Sequence, residues 1–220
     1  MKKIKISMFL NAVIVLLTIV ASIIMFTGIK FMTGPDLVLE STKIGMFKFF
    51  TVDSNILMGI TSLIFLIYGA KSLKDKRYKT PKKVYLLKLI STTAVTITFL
   101  VVFCYLGQIS KGGMRSMLLN SNLLFHLFIP VLSIISFIFF ERNDKLSAKN
   151  ALFGILPTLI YGTFYLTNVL IHTQNGKVSP IYDWYWFVQS GVSIAIIVFP
   201  MSILLSYAVS LVLWRLNHTR

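Results

Sequence analysis

Six stretches of about 20 apolar residues dominate this chain, and they restrict its fold more than any other feature. They run from about Ser7 to Thr27, Phe49 to Ala70, Leu89 to Gly107, Asn122 to Phe140, Ala151 to Ile171 and Val188 to Trp214. Roughly 20 apolar residues in a helix rising 1.5 Å per residue cross a hydrocarbon layer of about 30 Å. Within lipid, only a helix satisfies its own backbone inside one segment. The alternating pattern of a membrane barrel is absent. The sequence therefore predicts an all-α, polytopic integral membrane protein: one domain over residues 1–220, built as a bundle of six transmembrane helices. No room is left for a second, soluble domain. Lys2, Lys3 and Lys5 precede the first block as they would in a signal peptide. That block is too long for a signal core and lacks an A-x-A site, so it reads as a retained helix.

Charge sets the expected orientation. The chain carries 22 Lys and Arg against 7 Asp and Glu. With the N-terminus inside, the inner tails and loops hold 16 of the basic residues and the outer loops hold 6. Basic residues collect on the cytoplasmic side of membrane proteins, so both termini are expected in the cytoplasm. Half of the inner charge comes from Lys71 to Lys83 together with Lys88. A topogenic and lipid-surface anchor explains this loop, so no nucleic-acid partner is expected. The phospholipid bilayer is the expected partner. Whether copies associate as a homo-oligomer is left open by the sequence. Trp184, Tyr185 and Trp186 read as an aromatic belt at the outer interface. The excess of Lys over Arg, 17 to 5, fits an AT-rich bacterial coding sequence, and the expected location is the bacterial cell (plasma) membrane.

Polar residues inside membrane segments are costly and usually face the protein interior. Here they collect at one end of the spans. Thr51, Asp53, Ser54 and Asn55 lie in the first turns of helix 2, and Ser121, Asn122 and His126 open helix 4. Thr167, Asn168 and His172 close helix 5, and Asp183 precedes helix 6. The inner halves of helices 2, 4 and 6 are almost wholly apolar. This asymmetry predicts a polar cavity near the outer leaflet. Thr51, Ser54 and Asn55 share a helical face, as do Asn122 and His126, and Asn168 and His172. No P-loop, HExxH, GxSxG or CxxC motif occurs, and neither a metal nor a cofactor is expected.

The segment FKFFTVDSNIL (Phe47–Leu57), with NLLFHLFIP (Asn122–Pro130) further on, resembles the androgen-induced-gene family of atypical integral-membrane threonine hydrolases and its bacterial relatives. The resemblance implies six membrane helices and cleavage of fatty-acid esters. It also implies an aromatic-flanked threonine at the start of helix 2, a histidine opening helix 4 and a proline about one turn later. Thr51, His126 and Pro130 occupy those places. A base must take the proton of a threonine hydroxyl before it can attack, and a neutral histidine can do so near pH 7. Thr51 is thus the candidate nucleophile and His126 the candidate base. Asn55, Asn122 and Asn168 are candidates to stabilise an oxyanion or orient the imidazole. Lys48, Lys111, Arg115 and His172 are candidates for holding the substrate, the three basic ones through a fatty carboxylate. The expected function is a lipid-ester hydrolase acting on membrane lipid or fatty-acyl esters. Two rivals are a non-catalytic lipid-binding or small-molecule transport protein, and a haem or quinone protein using His126 and His172.

Overall fold

The computed structural model describes residues 2–34, 41–75, 77–110, 112–142, 146–185 and 192–219, the last with side chains from 197 onward. It is a helical bundle. The long helices are α1 (Lys2–Thr27), α2 (Phe50–Lys74), α3 (Lys82–Ile109), α4 (Ser121–Phe140), α5 (Ala148–Ile171) and α6 (Val192–His218). All six contain stretches long and apolar enough to cross a membrane. The described bounds lie within about four residues of the sequence expectation except at α1, which starts at Lys2 and not Ser7, and α3, which starts at Lys82 and not Leu89. The expected start of helix 6 at Val188, and Trp186 and Lys111, lie outside the described residues.

The bundle is built around α3, about 61% of whose apolar window is buried against 17% for α6. Buried Ser91, Thr92, Thr93, Thr96 and Thr98 line this central helix. Most of them solve the problem of a buried hydroxyl locally. Thr93 donates to the Leu89 carbonyl at 2.8 Å and Thr96 to that of Thr92 at 2.7 Å. Such bonds satisfy the hydroxyl inside its own helix and leave it chemically quiet. Large apolar side chains face outward from the other helices, among them Phe9, Leu16, Ile23, Ile160, Phe164 and Leu204. A soluble protein would not expose so many, whereas a membrane-spanning bundle presents them to lipid.

Helix α4 is not a uniform α-helix. Its residues Leu124–Phe128 form a π-helical turn, and so do Ser136–Phe140. Pro130 supplies a cause for the first. It has no N–H for the carbonyl four residues earlier, that of His126, and its ring crowds that carbonyl. A widened turn relieves both problems and places His126 on it.

Both chain ends lie at one end of the bundle. Ser7 of α1 donates to Glu141, which follows α4, and Asn217 near the end of α6 donates to the carbonyls of Phe137 and Glu141. We call this the terminal end and the opposite one the distal end. Connections fold over the distal end. Asn120, at φ 53°, accepts from the amides of Phe31 and Met32 at 2.8 and 2.9 Å. After α5, Asn175 and Gly176 take positive φ in a tight turn closed by mutual bonds between Gln174 and Lys177, as an Asn-Gly pair favours.

Two sequence readings are corrected here. Lys88 is not a loop charge: it lies inside α3 with no exposed surface. Its ionic partner Glu141, just after α4, is also buried. Trp184 and Tyr185 do not form an interfacial belt, because both are buried in the distal core with Phe49, Val52, Phe125 and Tyr165.

Candidate functional site

Thr51 is the second residue of α2. That position matters for its hydroxyl. A threonine deeper in a helix bonds the carbonyl four residues back, as Thr18, Thr61 and Thr93 do here. For Thr51 the residue four back is Phe47, outside the helix, and no hydrogen bond is made by its hydroxyl among the described residues. The backbone carbonyl of Thr51 is engaged instead, accepting from Ser54 Oγ at 3.1 Å and from Asn55 Nδ2 at 2.7 Å.

His126 lies on the π turn of α4 and is only 1% exposed. Its Nδ1 is 2.6 Å from the carbonyl oxygen of Met117. A carbonyl can only accept, so the proton of the neutral imidazole sits on Nδ1 and the lone pair on Nε2. Nε2 makes no hydrogen bond among the described residues. This is the protonation arrangement that a general base requires. Met117 belongs to the distal connection, so the ring points from α4 toward the distal end. Side chains on α2 also lean toward its N-terminus, which is the distal end.

Asn55 joins the two helices. Its Nδ2 donates to the carbonyl of Phe125 at 3.1 Å as well as to that of Thr51. Phe125 is the neighbour of His126, so the first turns of α2 and α4 are packed at the same level. Both amide hydrogens of Asn55 are thereby committed to carbonyls, which suits a tie between helices better than an oxyanion donor. Its Oδ1 is buried and accepts no hydrogen bond among the described residues. Ser54 Oγ pairs with Thr98 Oγ1 at 3.0 Å and brings α3 into the same cluster.

The remaining candidates separate into two groups. Asn122 is buried at the start of α4, next to His126 on the same helix. Lys48 stands at the entrance to α2, its Nζ 5.0 Å from the Phe49 ring centroid and 6.0 Å from that of Trp184. Asn168 and His172 turn to the α5–α6 connection. Asn168 Nδ2 donates to the Tyr182 carbonyl at 3.1 Å, and the His172 ring stacks on Tyr182 at 3.6 Å. His172 Nδ1 is 2.8 Å from the Asn168 carbonyl. Arg115 is exposed on the connection between α3 and α4.

A cluster of aromatic side chains, not singled out as functional by its spacing, holds the start of α2. Tyr161 donates to the carbonyl of Lys48 at 2.5 Å and accepts from Trp184 Nε1 at 3.0 Å. The Tyr185 hydroxyl accepts from the Phe50 amide at 2.9 Å. Burial pushes the Tyr185 phenol up to about 12, so it is neutral at pH 7. Tyr165 donates to Asp183, whose side chain is fully buried.

A second polar centre lies toward the terminal end. Lys88 Nζ donates to Asn11 Oδ1 at 2.6 Å and to Ser62 Oγ at 3.1 Å, and stands 3.7 Å from Glu141 Oε1. That oxygen also accepts from Asn11, Ser136 and Ser7 at 2.6, 2.6 and 3.1 Å. Four helices therefore meet at one buried ion pair. The sequence carries a signal for it: Lys88 interrupts YLLKLIS, with apolar residues on both sides.

Comparison of the chain with protein-family models, curated proteins and solved structures finds no match.

Proposed function

We propose that this protein is a membrane-embedded, threonine-dependent hydrolase of lipid esters. In this reading Thr51 attacks the ester carbonyl while His126 Nε2 takes its proton. The alcohol leaves, protonated by the same imidazole, and an acyl-threonine remains. Water, deprotonated by His126, then releases the fatty acid and restores the hydroxyl. The observation that carries the proposal is the His126–Met117 bond, which supports an unprotonated Nε2 on the turn of α4 that Asn55 ties to α2, where the Thr51 hydroxyl makes no hydrogen bond among the described residues. Asn122 is the better candidate for an oxyanion donor, because Asn55 has both amide hydrogens engaged. Lys48 is suited to hold an anionic substrate group at the rim.

The distal end is assigned to the outer leaflet of a bacterial plasma membrane, with both termini cytoplasmic, because the basic residues concentrate toward the terminal end. Moving Lys88 from the loop to the interior lowers the inner surface charge by one and keeps the bias.

The test uses purified wild type, Thr51→Ala and His126→Ala, each supplied with fatty-acyl esters in vesicles. Fatty-acid release by the wild type alone supports the reading. No release by any of the three overturns it. A reporter fused within 71–83 that is active only outside the cell would reverse the orientation.

The buried Lys88–Glu141 pair supports a second reading, small-molecule transport. Ionisable groups inside membrane segments often mark ion or substrate paths. Substrate uptake into vesicles that is lost in Lys88→Met and kept in Thr51→Ala would favour it.

A further inference from the structure

The first turn of α2 poses a problem that its own sequence does not solve. A helix N-terminus leaves four backbone N–H groups without intrahelical partners. The residue before α2 is Phe49, whose side chain cannot accept, and no side-chain cap is made there. The carbonyl of Phe49 takes the amides of Val52 and Asp53 at 3.0 and 3.3 Å. The amide of Phe50 goes to the phenol oxygen of Tyr185, 135 residues away, and the Thr51 amide bears on that same oxygen. Tyr185 thus does for α2 what a serine or aspartate cap does elsewhere, but from another part of the chain.

The phenol is itself fixed. Its ring packs against Phe49, Tyr161 and Tyr165 at centroid distances of 6.4, 6.3 and 5.6 Å. Tyr161 grips the chain one step earlier, at the Lys48 carbonyl. Tyr165 ties the connection carrying Tyr185 to α5 through Asp183. The backbone from Lys48 to Thr51 is therefore held from the side by α5 and its following connection.

We propose that Tyr185 is a positioning residue for Thr51: its hydroxyl caps α2 and sets the place and direction of the nucleophile's backbone. The inference rests on the hydrolase reading and deepens it. The phenol acts through the amides of residues 50 and 51 and does not touch the substrate. Removing its oxygen leaves the helix intact and lets its first turn fray, so the hydroxyl of Thr51 samples more directions. One neutral hydrogen bond is worth about 1 kcal/mol, which converts to a rate loss of roughly fivefold to tenfold at saturating probe.

The experiment compares full-length wild type with Tyr185→Phe in lipid nanodiscs. Two quantities are read: amide hydrogen exchange of the segment 47–55, and labelling of Thr51 by a fluorophosphonate probe, with its maximal rate and half-saturating concentration separated. In the wild type the first turn of α2 is expected to be protected despite lacking a local cap. In Tyr185→Phe, protection of residues 50 and 51 falls, and the maximal labelling rate falls roughly fivefold to tenfold with the half-saturating concentration little changed. Unprotected amides at 50 and 51 in the wild type overturn the cap, whether or not the variant folds. A labelled wild type with undiminished labelling of Tyr185→Phe overturns the positioning role alone. An unlabelled wild type overturns the hydrolase reading and this corollary together, and the exchange data then report only on the cap.

Discussion

The two polar centres of the bundle use the same kinds of side chain in opposite ways. At the terminal end, Lys88, Glu141, Asn11, Ser7, Ser62 and Ser136 turn toward one another, and Glu141 Oε1 has four polar neighbours, while its Oε2 is buried without a hydrogen-bond partner among the described residues. At the distal end several backbone amides and carbonyls around Thr51 and His126 are engaged, while the Thr51 hydroxyl, His126 Nε2 and Asn55 Oδ1 make no hydrogen bond among the described residues. A group satisfied by fixed neighbours resists change. An unbonded hydroxyl or imidazole nitrogen set among fixed backbone groups can react with something that arrives. The contrast supports the chemistry proposed for the distal centre, and it suits the terminal centre to a junction of helices or a path for charge.

Chemistry gives the largest expected contrast. Thr51→Ala should abolish ester cleavage, and His126→Ala should lower turnover by about 10²–10⁴-fold. Thr51→Ala should leave unfolding in detergent nearly unchanged, because no partner among the described residues loses a bond. A Thr51→Ala protein that unfolds readily would show that its hydroxyl is structural after all.

The terminal centre should behave in the reverse manner. Lys88→Met strands Glu141 in the interior, and removing one partner of a buried pair costs about 3–5 kcal/mol. The double variant Lys88→Met/Glu141→Leu should recover most of that loss, measured by thermal unfolding. Failure of the double variant to recover would mean that the pair specifies how the helices assemble, and would bring the two centres closer in kind.

Alkaline titration sharpens the distal side. The Tyr185 phenol, ordinarily near 10, is held at about 12 in the fold by burial. A raised acid contributes stability that is complete below the unfolded value and lost as pH rises through the folded one. The contribution should thus fade from about pH 10 to 12 and amount to roughly 2–3 kcal/mol. Subtracting the pH profile of Tyr185→Phe isolates it, and identical profiles would contradict the assignment. The smallest effect is expected at Asn168. Asn168→Ala removes one bond to the Tyr182 carbonyl and should cost about 1 kcal/mol, seen as faster exchange in 181–185 with cleavage retained.

Much of this architecture is legible in one dimension, for physical reasons. Membrane helices announce themselves because a run of apolar residues must be as long as the barrier it crosses. The polar openings of helices 2 and 4 were visible as Thr51, Asn55, Asn122 and His126 for the same reason, since polar groups there demand explanation. Lys88 and Glu141 were missed because each sits near a block edge, where a charge ordinarily belongs to a loop. Only their meeting across α3 and α4 reveals the pair. Tyr185 was misread because an aromatic residue at a helix entrance fits an interfacial belt equally well. Its bond to Phe50 depends on a fold contact spanning 135 residues, which no local pattern encodes. The π turn under His126 follows from Pro130 only once the helix is known to continue through it.

The most direct test of the account is mass-spectrometric mapping of a fluorophosphonate adduct on the intact protein in lipid. A single modification is expected on Thr51, and it should disappear in His126→Ala. An adduct on another hydroxyl, such as Ser54 or Tyr185, or a wild-type protein that stays unmodified, would contradict it.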